Sequence, residues 1–210
     1  MQQILQKRIV PVVVIDDAAN AKPLAEALLA AGIDVMEVTF RTPGAAAAIR
    51  NVREAFPTML VGAGTILDQD QLQRAIDAGA LFGVAPGLNE TVVSKSQSLK
   101  LPFVPGVMTP SDVERGLALG CKLQKFFPAE AAGGLKMLQA LAGPYGPAGV
   151  KFIPLGGVNT KNAGEYLALP IVAAIGGSWM VERKLIADKN WGRIRALTAE
   201  AVQIAAMAPR

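Results

Sequence analysis

Along the chain, short runs rich in β-branched residues alternate with longer stretches in which alanine and leucine recur at helical spacing. The short runs predict eight strands, at 8–15, 35–40, 60–66, 81–87, 102–107, 122–128, 151–157 and 172–178. Between them the helical pattern predicts helices at 19–31, 44–55, 69–78, 90–99, 110–119, 133–141 and 160–167, with a closing helix at 192–207. Gly32, Gly79 and Gly120 fall just after helices, where a left-handed residue commonly ends the last turn. Repeated βα units build parallel sheets. Eight of them suit a closed (β/α)8 TIM barrel better than an open doubly wound sheet, because no Gly-x-Gly-x-x-Gly fingerprint opens the first helix. No linker or low-complexity tract breaks the pattern, so a single domain over residues 1–210 is expected, with its chemistry at the carboxyl ends of the strands.

The same pattern shows where polar residues intrude on that interior. Residues 35–41 read Val-Met-Glu-Val-Thr-Phe-Arg, and a period of two puts Glu37, Thr39 and Arg41 on one face and Met36, Val38 and Phe40 on the other. With the apolar face against helices, the polar face points inward. A carboxylate there is costly unless paired or employed. Glu37 is therefore either half of a structural Glu37–Arg41 ion pair, or an acid/base group beside an arginine whose planar fork suits a substrate carboxylate. The sixth run, Lys122-Leu-Gln-Lys-Phe-Phe-Pro-Ala-Glu130, sets Lys125 inside a strand among apolar neighbours. A lysine can snorkel from a strand edge, but it is almost never fully buried without a reason. In apolar surroundings an ammonium tends to shed its proton, and the neutral amine attacks carbonyl carbon to form a Schiff base.

Small residues mark further strand ends. The third run, Val61-Gly-Ala-Gly-Thr-Ile66, is small where a barrel normally packs bulk, which reads either as room for a ligand beside the Thr65 hydroxyl or as a glycine-rich turn. Ala85-Pro-Gly87 and Pro105-Gly106 read as walls and turns. The last two strands end in Gly156-Gly157 and Gly176-Gly177-Ser178, the pair of loops from which phosphate sites in such barrels are frequently built. A phosphorylated substrate is the expectation.

Composition narrows the chemistry. The chain is 51% apolar, yet no apolar run approaches the roughly 18 residues a membrane span needs, so the excess belongs to a parallel sheet, a helix-covered core or a subunit interface. The first residues lack a signal-peptide pattern, and a cytoplasmic location is expected. Cys121 is the only cysteine and there is no histidine, which removes the commonest general base and the commonest metal ligand together. Acid–base work falls to Asp, Glu, Lys or Tyr. The net charge of +4 is scattered and does not form a stripe, which argues against nucleic acid and suits a small anionic molecule.

Four runs in order, Glu37-Val-Thr-Phe-Arg-Thr42, Gly62-Ala-Gly-Thr65, Lys125-Phe-Phe-Pro-Ala-Glu130 and Gly176-Gly-Ser-Trp179, resemble the bacterial 2-keto-3-deoxy-6-phosphogluconate aldolases, also described as 4-hydroxy-2-oxoglutarate aldolases. The resemblance spans essentially the whole chain. It implies a class I, metal-free and cofactor-free aldolase, a homotrimer of barrels, cleaving a phosphorylated 2-keto-3-deoxy sugar acid to pyruvate and glyceraldehyde 3-phosphate. By it Lys125 matches the Schiff-base lysine, Glu37 the catalytic glutamate, and Arg41 and Thr65 the pyruvate-binding pair. Pro86, Phe127, Gly156, Gly157 and Ser178 match substrate contacts, with Gly177 in the same glycine-rich run. Leu155 departs from the family, which usually carries threonine there. The alternatives are an aldolase for the galactonate epimer, a decarboxylase side activity on oxaloacetate, and a phosphate-binding barrel without imine chemistry.

Overall fold

The computed structural model describes residues 1–209, in which strands and helices alternate. The strands are β1 (Ile9–Val13), β2 (Val35–Thr39), β3 (Leu60–Gly64), β4 (Gly83–Val84), β5 (Phe103–Val104), β6 (Gly106–Val107), β7 (Leu123–Phe126), β8 (Lys151–Pro154) and β9 (Ile175–Gly177). The helices are α1 (Gln2–Lys7), α2 (Ala21–Ala30), α3 (Ala45–Ala55), α4 (Gln69–Asp77), α5 (Glu90–Ser98), α6 (Pro110–Ala118), α7 (Gly134–Tyr145), α8 (Ala163–Ala168), α9 (Arg183–Ala187) and α10 (Trp191–Met207).

All strand pairs among the described residues are parallel, which makes this an α/β fold, but they form two sheets where one of eight strands is expected. A six-stranded sheet runs β5-β4-β3-β2-β1-β9 and curls as a half-barrel, and a three-stranded sheet runs β6-β7-β8. The expected strand at 102–107 divides at Pro105, which has no N–H to offer a ladder. Its first half pairs with β4 and its second with β7, while the Pro105 carbonyl accepts from the Lys125 N–H at 2.8 Å. At the opposite seam a single parallel bridge joins Phe152 to Val172.

Helix ends follow local chemistry. α6 begins with a capping box in which Thr109 and Asp112 satisfy each other's backbone N–H groups, with Pro110 in the first turn. Two elements are too short to show a period and were not expected. They are α9 and α1, and α1 buries Ile4 against the strands. The core is aliphatic with a few rings, such as the edge-on pair of Phe126 on β7 and Phe152 on β8 at 6.2 Å. Each large side chain fully buried there contributes about 1.5–3 kcal/mol, so a few of them offset the several kcal/mol that burying a charge in the interior costs.

Candidate active site

All five residues of β2 are buried, and Glu37 reaches into the pocket that Lys125 also lines. Thr39 Oγ1 is tied to the Val13 carbonyl at 2.9 Å. Glu37 meets Lys125, which comes from β7 in the other sheet, with Nζ 3.8 Å from Oε1 and the two side chains 3% and 2% exposed. A charge-assisted hydrogen bond would bring such atoms to about 2.7–2.9 Å. This pair is held apart, and among the described residues Oε1 has no hydrogen-bond partner. Lys125 Nζ also stands 5.1 Å from the centre of the Phe127 ring, within cation–π range. Apolar side chains, among them Val10, Phe82, Ile153 and Leu155, line the rest of the pocket.

Glu37 therefore has a cationic neighbour, but not the one the ion-pair alternative names. Arg41 is exposed, and its Nε donates to Thr65 Oγ1 at 3.3 Å. Thr65 has φ 59°, a left-handed conformation that β-branched residues seldom adopt and that costs on the order of 1–3 kcal/mol. That turn places the Thr65 hydroxyl beside the Arg41 guanidinium, just past the carboxyl ends of β2 and β3.

The small residues of β3 leave no open room at their own positions. A Cβ on Gly62 would lie 2.3 Å from the Phe82 ring, and one on Gly64 would lie 2.0 Å from Glu37 Oε1. The space is already filled by a wall and by the carboxylate itself. Pro86, half-buried at the end of β4, is approached so closely by Gly106 that a Cβ there would meet the Pro86 carbonyl at 2.2 Å.

At the ends of β8 and β9 the backbone takes over from side chains. Gly156 and Gly157 have φ 93° and 88°, angles that L side chains rarely adopt. The turn's carbonyls are all engaged: Leu155 O accepts from Ala129 N at 2.7 Å, Gly156 O from Glu130 N at 3.0 Å, and Gly157 O from Asn159 Nδ2 at 2.9 Å. Among the described residues neither glycine N–H donates to the protein. Gly176 and Gly177 serve packing: the buried Leu155 side chain lies 2.6 Å from where a Cβ on Gly176 would be, and the Trp179 ring 1.8 Å from one on Gly177. Ser178 is exposed beside them.

Sequence reading missed the support of this turn. Asn159 and Asn162 bracket it, both donating to Gly157 O, and the one visible signal was an Asn-Thr-Lys-Asn run after the glycines. Tyr166 also went unnoticed, because nothing local marks a tyrosine in a short helix as a partner for Glu130. No cluster of His, Cys, Asp and Glu among the described residues is placed to hold a metal ion, and no helix there is long and apolar enough to cross a membrane.

An amine and a carboxylate face each other across a gap in an apolar pocket, an Arg–Thr pair stands at the ends of β2 and β3, and a glycine turn follows β8, an arrangement that imine chemistry on an anionic keto acid could use. A family model described as "KDPG and KHG aldolase" matches residues 1–197. The 2-dehydro-3-deoxy-phosphogluconate aldolase of Haemophilus influenzae is 45% identical over 207 residues, 97% of this chain and 97% of its own. A solved KDPG aldolase from Legionella pneumophila, with pyruvate captured as a covalent carbinolamine, is 44% identical with a TM-score of 0.89, over 92% of this chain and 93% of that one. The Zymomonas mobilis enzyme solved with 3-phosphoglycerate is 40% identical with a TM-score of 0.89, over 100% and 95% of the two chains. The chain belongs to the KDPG and KHG aldolase family.

Proposed function

We propose that the protein is a Schiff-base aldolase that cleaves 2-dehydro-3-deoxy-6-phosphogluconate to pyruvate and glyceraldehyde 3-phosphate, and that it also accepts 4-hydroxy-2-oxoglutarate. The observation that carries this reading is the buried Lys125–Glu37 pair held at 3.8 Å, with one carboxylate oxygen unpartnered. A pair kept only for stability would close to hydrogen-bond distance, and a barrel without imine chemistry would bear the cost of both charges for no return.

In this reading the Lys125 ammonium passes a proton to Glu37 and the freed amine adds to the C2 ketone; Glu37 returns that proton to the carbinolamine hydroxyl, which leaves as water and gives an iminium. Glu37 takes the proton of the C4 hydroxyl as the C3–C4 bond breaks. The bonding electrons pass into the iminium, leaving an enamine and releasing the aldehyde. Protonation at C3 and hydrolysis return pyruvate and the free lysine. Arg41 and Thr65 hold the substrate carboxylate, Pro86 and Phe127 wall the reacting carbons, and Leu155 stands beside C4. The Gly156–Gly157 turn, with Gly177 and Ser178, receives the phosphate. No step calls on a cofactor.

The same reading makes residues 1–210 one domain and the two sheets one closed (β/α)8 barrel. The 103–107 stretch, which pairs into both sheets, and the Phe152–Val172 bridge support that closure. It also makes the enzyme a cytoplasmic homotrimer, consistent with exposed apolar side chains such as Leu67 and Met108 on an apolar-rich chain. Leu155 favours a second reading, activity toward the galactonate epimer, because leucine offers no hydroxyl near C4.

Borohydride reduction in the presence of pyruvate, followed by peptide mass analysis, tests the chemistry. Pyruvate is expected on Lys125. Labelling of the exposed Lys122 or Lys136 in its place would overturn the assignment.

A further inference from the structure

Tyr166 is fully buried on α8, yet its hydroxyl donates to a carboxylate oxygen of Glu130, 36 residues away in sequence. Burial first, and then the Glu130 carboxylate, push the phenol's ionisation well above its ordinary range, so it remains a donor at any working pH. Glu130 is the last residue of the Lys125-Phe-Phe-Pro-Ala-Glu130 run, and the rest of it belongs to the glycine turn. Its N–H donates to Gly156 O at 3.0 Å, and its Cγ lies 2.4 Å from where a Cβ on Gly157 would be. Gly134 opens the space in which acid and phenol meet, since a Cβ there would stand 3.2 Å from both oxygens.

The charge-assisted hydrogen bond that Tyr166 gives the carboxylate of the exposed Glu130 adds little net stability to a core, because an apolar pair of the same shape would do as well. It is an effective way to hold a turn. Two successive glycines have more backbone freedom than any other pair, and an anion that must order them loses that entropy from its affinity. With Tyr166 gripping the carboxylate, the Glu130 stem stays on Gly157 and the free N–H groups keep one direction. We infer that Glu130 and Tyr166 are positioning residues that pre-order the Gly156–Gly157 turn for the substrate's phosphate. This rests on the phosphate role given to that turn under Proposed function.

The test compares two substrates in the full-length protein, the phosphorylated keto-deoxy acid and 4-hydroxy-2-oxoglutarate, which has no phosphate. Tyr166→Phe and Glu130→Ala are expected to raise KM for the phosphorylated substrate about threefold to tenfold with kcat little changed. They should leave kcat/KM for 4-hydroxy-2-oxoglutarate at the wild-type level. Glu130→Gln keeps the stem and an acceptor for the phenol, so it should stay close to wild type. Equal losses on both substrates, an unchanged KM, or a glutamine variant as impaired as the alanine one would each overturn the inference. So would variants that no longer trap pyruvate on Lys125, because the residues would then be supporting the fold alone. A wild-type protein that traps no pyruvate would refute the aldolase reading separately. The turn is then read by inorganic phosphate, which should raise the wild-type Tm and do so less in Tyr166→Phe, and equal shifts in both would overturn the inference.

Discussion

The pocket floor, where β2, β3 and β7 meet, and the rim at the ends of β8 and β9 use glycine for opposite purposes. On the floor Gly64 has no side chain because Glu37 occupies its place, and the chemistry is carried by two buried charges. At the rim Gly156 and Gly157 have none because their backbone is left-handed, and what they present is N–H groups. Side chains on the floor are coupled through a low-dielectric gap, so a change to one strands the other. Contacts at the rim are several and individually weak. Floor substitutions should therefore be near all-or-none, and rim substitutions graded and dependent on the substrate.

The sharpest way to break that contrast is Lys125→Ala. Turnover and pyruvate trapping should both vanish, and the fold should lose about 3–5 kcal/mol in denaturant titration, since Glu37 is left buried without its cation. A Lys125→Met/Glu37→Gln double variant should regain most of that stability and none of the activity. If the single variant were as stable as the wild type, the floor would not be coupled as described.

Next in size is Glu37→Gln, which keeps the shape and removes the base. Turnover should fall about 10²–10⁴-fold while pyruvate is still trapped on Lys125. A variant that unfolds while its folded fraction retains the full rate would return Glu37 to the role of a structural ion-pair partner.

A matched pair of glycine substitutions sets floor against rim directly. Gly64→Ala puts a methyl group 2.0 Å from Glu37 Oε1 and must displace the carboxylate, so kcat should drop on every substrate. Gly157→Ala forces a left-handed alanine at a cost of roughly 1–2 kcal/mol, about tenfold in affinity, and sets its methyl group 2.4 Å from Glu130 Cγ, so the turn must shift and KM for the phosphorylated substrate alone should rise. Steady-state kinetics on the phosphorylated acid and on 4-hydroxy-2-oxoglutarate separate the two patterns. The same loss profile for both variants would erase the distinction.

The floor was largely legible in the sequence and the rim only in outline, for a physical reason. Inward placement of Glu37 follows from a period of two that five residues of β2 suffice to show, and Lys125 stands out because lysine in an apolar strand is rare. Which cation faces Glu37 was not legible, since that depends on two sheets meeting, and adjacency in sequence favours Arg41 over Lys125. Glycine composition marked the ends of β3, β8 and β9 but not what fills the space over each, because Phe82, Glu37, Leu155 and Trp179 reach them through tertiary packing. The division of the fifth strand at Pro105 was written in the sequence in plain form. Local pattern alone marks it as a turn at the end of a strand, although a residue without an N–H can also be the point where one ladder hands over to the next.

Leu155 lies between floor and rim and gives the smallest expected effect. Its side chain is 5% exposed and packs over Gly176 while lining the pocket that holds Lys125 and Glu37, and the proposed function sets it beside C4 of the substrate. The threonine usual in the family could hydrogen-bond a substrate hydroxyl there, and leucine cannot. One neutral hydrogen bond is worth about 0.5–1.5 kcal/mol, which makes the expected preference between the C4 epimers weaker by roughly threefold to tenfold. Leu155→Thr should restore that preference. It should also lower Tm, because the shorter side chain leaves a gap over Gly176 and its hydroxyl is buried without a partner until substrate arrives. Comparing kcat/KM for the two phosphorylated epimers in both proteins decides the point. Strong gluconate selectivity in the wild type, unchanged in the variant, would mean that residue 155 serves only to pack against β9 and that epimer choice is made at the rim.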